Sequence, residues 1–361
     1  MDKELRLMKG NEAIAEAAIR DGADAYFGYP ITPQSEVIEH LMAEKPHERT
    51  GMVVLQAESE VAAINMIYGA AGAGKKVMTS SSSPGISLKQ EGISYIAGSE
   101  LPALIANVVR GGPGLGTIQP GQGDYFQATK GGGHGDYRLI VLAPASVQEM
   151  YDFVELGFNL AFKYLNPVMI LSDGVIGQMM EKVEMGPQKK RRTEEEIIKQ
   201  CPWATTGKPK SRERNIITSL ELDPYKMEEF NLKLIDKYNK LKENEVRYEK
   251  IQCDDADYII VAYGSSSRIS QAAVKLGRKK GIKVGLLRPI TLFPFPTKQV
   301  QELIPQTKGF LSVEMSTGQM VEDIKLAVNG ERPVEHFGRL GGVIHTADEI
   351  IEALEQKIIG G

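Results

Sequence analysis

Residues 101–109, LPALIANVV, form a nearly continuous apolar run. A run of this kind suits a strand covered on both faces, which is the situation inside a parallel sheet flanked by crossover helices. The sequence on either side agrees. Helical spacing over 11–21 stops at Gly22, and short strands are predicted at 25–28, 52–55, 76–79, 139–142 and 168–171. Helices at 34–43, 58–72, 85–98 and 146–164 fill the gaps between them. Strands alternating with helices imply an α/β fold. The pattern lapses only between 110 and 137, a glycine-rich stretch predicted as neither helix nor strand, and a loop of that length is usually functional.

After this first unit the composition changes. GPQKKRRTEEE and KLIDKYNKLKENEVRYEK are dense in charge, and Pro187, Pro202, Pro209 and Pro224 interrupt regular structure. The stretch reads as an extended connector with one amphipathic helix over 224–244, and its basic cluster Lys189–Arg192 as a solvated loop. The α/β alternation then resumes, with strands at 258–262, 283–286 and 309–313 and helices at 265–280 and 317–328. A chain of 361 residues is long enough for two or three domains.

Charge and cysteine content exclude several functions. The 43 basic and 47 acidic residues leave a formal charge of -4, too small for a nucleic-acid footprint or an anionic membrane surface. MDKELRLMKG reads straight into a helical pattern, and no run is long enough to cross a bilayer. A cytoplasmic protein is predicted. Cys201 and Cys253 stand far apart, too few for a self-contained cysteine-ligated cluster and outside any disulfide framework.

Two nucleotide motifs are nearly present, and both fail. Gly69–Lys76 lacks the hydroxyl residue of a phosphate loop and follows a helix, so it reads as a helix terminator. The loop after Arg110 holds no complete GxGxxG. Three other features remain. YPITPQSE at 29–36 follows a strand, with Thr32 predicted as a helix cap and Pro33 as the first helical residue; it is either a cap alone or an anion site at a helix N-terminus. Glu58 and Glu60 open a helix, where acidic residues are favourable through the dipole alone. Arg110 follows the buried strand, where a guanidinium either grips a carboxylate through two parallel bonds or makes a structural ion pair.

Taken together, these segments resemble the 2-oxoacid:ferredoxin oxidoreductases. The likeness is carried in order by YPITP at 29–33, AESEVAAINMIYGAA at 57–71, LPALIANVVRGGPGLG at 101–116, GQGDYFQATKGGGHGDYRLIVLAP at 121–144 and NPVMILSDG at 166–174. It continues through VAYGSSSR at 261–268 and LRPITLFPFP at 287–296. The α subunit of the multi-subunit branch is the nearest fit, especially the branched-chain (2-oxoisovalerate) type. The resemblance implies a pyrimidine-side thiamine diphosphate domain over 1–186, the charged connector over 187–247 and a smaller domain over 248–361 like the C-terminal domain of transketolase. It also implies that Pro30, Ile31 and Glu60 contact the cofactor, with Glu60 catalytic at N1′ of the aminopyrimidine. Thr32 and Arg110 would bind the substrate's carboxylate and carbonyl region, and Glu58 is left structural.

The family holds the diphosphate through Mg²⁺ and a GDG…N motif, and no GDG occurs in this sequence. The resemblance therefore places Mg²⁺ and the diphosphate half on a β subunit, and iron–sulfur clusters on γ and ferredoxin-like subunits, with no metal held by this chain. The implied reaction is CoA-dependent oxidative decarboxylation of a 2-oxoacid to acyl-CoA and CO₂, with ferredoxin as acceptor and no nucleic acid or membrane partner. The alternatives are the same chemistry on 2-oxoglutarate, where Lys89, Lys130 or Arg138 would meet the distal carboxylate, a non-oxidative transketolase-like enzyme, and a non-catalytic assembly subunit.

Overall fold

The computed structural model describes residues 4–208, 210 and 212–360. Its strands are β1 (Glu4–Lys9), β2 (Ala25–Gly28), β3 (Val53–Gln56), β4 (Val77–Ser81), β5 (Ala103–Val109), β6 (Ile140–Leu142), β7 (Pro167–Asp173), β8 (Met180–Met185), β9 (Tyr248–Ile251), β10 (Tyr258–Ala262), β11 (Val284–Pro289), β12 (Thr291–Phe293), β13 (Gly309–Glu314) and β14 (Val334–Gly338). A large sheet runs in the order β12-β6-β7-β5-β4-β2-β3, a second sheet in the order β14-β13-β10-β11-β9, and β1 pairs β8 as a small ribbon. From β6 to β3 all neighbours in the large sheet are parallel, and only β12 joins it antiparallel.

The apolar run becomes β5, buried at every residue and paired with β4 and β7. Side chains alternate across a strand. Ile105 and Val109 accordingly join Ile64, Ile67, Ile86 and Ile93 in one core layer. Leu104 and Ala106 pack on the other face with Ile14, Ala18, Val154 and Phe158. The first layer continues through Val261, Leu287 and Phe310, so the two parallel sheets share a core rather than merely touching.

Several predicted elements need correction. The N-terminal stretch is not helical from its start: Glu4–Lys9 is a strand paired with β8, and the helix runs Gly10–Arg20. Alternation in so short, exposed a ribbon is not visible in sequence. The glycine-rich stretch contains a short helix, Tyr125–Thr129, and an Arg110–Pro120 bridge. The connector holds the helix Pro224–Asn244, together with a further helix, Glu194–Gln200. Pro209 lies outside the described residues.

The basic cluster is not a solvated loop. Arg191 donates to Asp24 Oδ1 from Nε at 3.1 Å and Nη2 at 3.0 Å, and also to the Gly51 carbonyl. Arg192 donates to the Gly74 carbonyl at 2.7 Å and stacks over the Phe162 ring. Lys189 pairs with Asp21 and Glu155. Asp24 is 3% exposed and also accepts the Lys76 amide at 2.7 Å. A basic cluster looks solvated when its buried partners, here Asp21 and Asp24, lie more than a hundred residues earlier in the chain. Breaking a buried charge set by removing one partner costs about 3–5 kcal/mol. Asp24→Ala is therefore expected to lower the melting temperature and to open the 187–193 stretch to limited proteolysis; an unchanged cleavage pattern would show that the clasp contributes nothing.

Candidate functional site

Four consecutive strands of the large sheet deliver the site. β2 feeds the YPITP turn, β3 leads to Glu60, β4 to Ser80–Ser83 and β5 to Arg110. β3 lies on one side of β2 and β4 on the other. The winding therefore reverses at β2, and ligands in such sheets bind outside the carboxyl ends of the strands at that reversal.

The turn is held from behind. The Pro33 carbonyl accepts from Asn11 Nδ2 at 2.6 Å and from Gln178 Nε2 at 2.9 Å. Gln34 is fully buried, accepting from Ser80 Oγ at 2.6 Å and donating to the Tyr29 carbonyl at 3.2 Å. These bonds carry the chain past Pro33 before a helix can start. The helix begins at Ser35 with Gln34 as its cap residue, and the Thr32–Pro33 peptide is cis. The predicted Thr32 cap and Pro33 helical start are thus overturned. Glu36 accepts from Lys9, Asn11 and Gln178. Burial would raise its carboxyl, but its own backbone amide and these three donors outweigh that and hold it below the ordinary range.

Thr32 and Arg110 are brought together: Arg110 Nη1 donates to the Thr32 carbonyl at 2.9 Å. Arg110 is 7% exposed, and its Nε is buried without a partner among the described residues. Its backbone amide donates to Ser83 Oγ at 3.1 Å, which ties the end of β5 to the start of the helix Ser83–Gly98. Pro30 and Ile31 are half-buried on the same turn, while the Thr32 residue itself is exposed.

Glu60 is the first residue of the helix Glu60–Gly72, capped by Ser59, whose Oγ accepts the Ala62 amide at 3.1 Å. Glu60 is 6% exposed and no protein group among the described residues hydrogen-bonds its carboxylate. Glu58 precedes the helix and is exposed. Gly74, with φ +76°, follows the end of this helix, which accounts for the near-miss phosphate motif as a terminator.

Sequence reasoning left the serines 80–83 between a strand and a helix and gave them no role. Four polar residues closing a fully buried strand were the available signal. Ser81 and Ser82 Oγ are buried without partners. Ser83 takes its amide to Asn107 Oδ1 at 3.1 Å, and Asn107 in turn donates to Asp124 at 2.9 Å. Burial pushes the Asp124 carboxyl up against the opposing bonds from Asn107 and Ser83. Gly85 sits where a Cβ would fall 2.1 Å from Ser81 Oγ and 2.8 Å from Glu60 Oε1.

The three cations considered for a second substrate carboxylate are engaged elsewhere. Lys89 is fully buried against Thr79 and Ser80. Lys130 pairs with Asp323, and Arg138 donates to the carbonyls of Lys130 and Tyr137. Glu16, His40 and Glu44 gather ligand atoms within 4.8 Å of one another. Arg20 and Arg49 occupy Glu16, and Arg6 and Arg49 occupy Glu44, so this group is an ion-pair network.

Space beside Glu60 exists only because residue 85 lacks a side chain. Gly85→Ala is expected to displace the Glu60 carboxylate and to cost about 1–3 kcal/mol, the usual penalty for overpacking. A crystal structure and a melting curve of the variant measure both, and an unmoved carboxylate would show that the crowding is absorbed elsewhere.

Comparison with known proteins identifies the family. Residues 16–250 match the family model described as pyruvate flavodoxin/ferredoxin oxidoreductase, thiamine diP-bdg, and 256–350 match pyruvate:ferredoxin oxidoreductase core domain II. The chain is 51% identical over 354 residues to the ketoisovalerate oxidoreductase subunit VorB of Methanothermobacter thermautotrophicus, covering 97% of each. It is 36% identical to the 2-oxoglutarate synthase subunit KorA of Methanothermobacter marburgensis, covering 98% of each. A solved 2-oxoglutarate:ferredoxin oxidoreductase from Magnetococcus marinus, with 2-oxoglutarate, coenzyme A and succinyl-CoA bound, superposes with a TM-score of 0.83 at 27% identity. That match covers 98% of this chain but 65% of the other. No helix among the described residues is long and apolar enough to cross a membrane. This chain belongs to the pyruvate flavodoxin/ferredoxin oxidoreductase family and is a thiamine-diphosphate-binding subunit of a 2-oxoacid:ferredoxin oxidoreductase.

Proposed function

We propose that this chain is the pyrimidine-side subunit of a cytoplasmic oxidoreductase that converts 2-oxoisovalerate and CoA to acyl-CoA and CO₂, passing the electrons to ferredoxin. The observation that carries the reading is the convergence of Glu60, Thr32 and Arg110 at the winding reversal of the large sheet. The residues fit the cofactor. The Glu60 carboxylate accepts no hydrogen bond among the described residues, and the Ser81 and Ser82 hydroxyls and Arg110 Nε are buried without partners on adjoining strand ends. Buried polar groups of this kind ordinarily find a partner, here a ligand.

In this reading, 1–186 forms the pyrimidine-side unit, 187–247 the connector and 248–361 the smaller α/β unit. Pro30 and Ile31 line the pyrimidine ring, and the Glu60 carboxyl exchanges a proton with its N1′. Bound thiamine diphosphate supplies the carbon nucleophile and the electron sink for decarboxylation. Arg110, already turned toward Thr32, holds the substrate carboxylate, with Thr32 beside the oxo group. No GDG occurs in the sequence, so Mg²⁺ and the diphosphate belong to a β subunit. With two cysteines, both buried, the clusters that feed ferredoxin belong to γ and ferredoxin-like subunits. A substrate with a single carboxylate is favoured, because Lys89, Lys130 and Arg138 are all committed to other partners.

The purified complex is to be assayed for CoA-dependent reduction of ferredoxin or viologen with 2-oxoisovalerate, 2-oxoglutarate and pyruvate. The expected order places 2-oxoisovalerate first, with Glu60→Ala lowering kcat by at least about 100-fold, the range of a lost proton-transfer group. Preference for 2-oxoglutarate would overturn the substrate while keeping the chemistry. No reduction with any 2-oxoacid, with cofactor and clusters bound, would sink the oxidoreductase reading.

A further inference from the structure

Lys89 is a lysine with no access to water. It is 0% exposed, on the helix Ser83–Gly98. Its Nζ donates to Thr79 Oγ1 at 2.6 Å and to the Ser80 carbonyl at 3.1 Å. Both acceptors are neutral, and an ammonium buried among neutral groups is strongly disfavoured. The opposite charge comes from across the helix pair. Gly85 and Lys89 are four residues apart on one helix and therefore share a face. Two side chains meet Gly85, with Ser81 Oγ 2.1 Å and Glu60 Oε1 2.8 Å from the position of a Cβ, and Glu60 is the charged one.

We propose that Lys89 is a positioning residue for Glu60: its ammonium is the counter-charge that holds the Glu60 carboxylate in place against Gly85. The proposal rests on the reading of Glu60 as the group facing the cofactor. Burial pushes the Lys89 amine down to about 7, and the Glu60 charge opposes that fall. Other ionisable groups around this corner have partners of their own. The Tyr26 hydroxyl on β2 is bonded to Ser80 Oγ at 2.7 Å. Arg110 at the end of β5 is turned to Thr32, and Asp124 is bonded to Asn107. Lys89 acts on the reaction only through Glu60, since its own Nζ is sealed beneath β4.

The arrangement also fixes the sign of a pH effect. A buried amine whose proton is lost near 7 makes the fold less stable below that pH. Stability then increases as the pH rises from about 7 toward the ordinary lysine value of 10.5.

The test is Lys89→Met in the complete complex, with Lys89→Gln in its place if the methionine variant does not assemble. The expected result is a fall of about tenfold or more in kcat at neutral pH with KM for the 2-oxoacid little changed. Lys89→Arg, which keeps the charge, should recover part of the loss. A second measurement uses the complex stripped of cofactor: melting temperatures of Glu60→Gln, Lys89→Met and the double variant, from pH 6 to pH 10. Coupled charges give non-additive changes. Additive melting shifts together with a wild-type kcat in Lys89→Met would overturn the proposal. If the wild-type complex turns over no 2-oxoacid, the functional reading falls, while the melting cycle still decides whether Lys89 and Glu60 are paired.

Discussion

The rest of this structure depends on a parallel sheet buried on both faces. Parallel neighbours cannot be joined by hairpins, so each connection crosses over the sheet as a helix. Every one of these strands then ends at the same edge. That single consequence places the YPITP turn, Glu60, the serines 80–83 and Arg110 side by side, although 78 residues separate Thr32 from the guanidinium that holds its carbonyl. The reversal of winding at β2 opens a crevice in that edge.

What lies around the crevice is rigid because its polar groups are bonded from behind. Tyr26, Ser80, Gln34 and the Tyr29 carbonyl form one buried chain of hydrogen bonds. Asn11 and Gln178 hold the Pro33 carbonyl. Against these satisfied groups stand Ser81 Oγ, Ser82 Oγ and Arg110 Nε, buried without partners among the described residues. Side chains fixed by such outer bonds hold reacting groups in place without reorganising during the reaction.

The glycine-rich stretch does a different job from the one its composition suggests. The Gln122 amide donates to the Met315 carbonyl, and its side chain accepts from the Met315 amide at 2.9 Å and Ser266 Oγ at 2.7 Å and donates to the Tyr263 carbonyl at 3.0 Å. Tyr125 donates to Asp323 at 2.5 Å, and Phe126 takes its amide to Gln319. On the neighbouring strand end, Asp173 accepts the Ser265 amide at 3.1 Å, and burial raises its carboxyl despite the bonds from Ser265, Val175 and Ile176. The second α/β unit is thus stitched to the same strand ends that build the site. β12 extends the large sheet from the other side of the chain.

Periodicity and local chemistry were enough to read the α/β class, nearly all strands of the large sheet and the helix Pro224–Asn244, because each is specified by residues near in sequence. The ordered segments around Thr32, Glu60 and Arg110 were enough to read the family. Tertiary structure decided the rest. The strands β1, β8, β9, β12 and β14 are short or half-exposed, and their pairing energy comes from partners far along the chain. The basic cluster looked solvated because Asp21 and Asp24 reach it only after folding. The cap expected at Thr32 was lost to Asn11, Gln178 and Ser80, none of them local. Lys89 shows the limit most clearly: sequence offered it as a possible contact to substrate, and only the packed chain turns it inward onto Thr79 and Ser80. Local pattern sets which elements form, but the burial of a charge and the identity of its partner are properties of the packed chain.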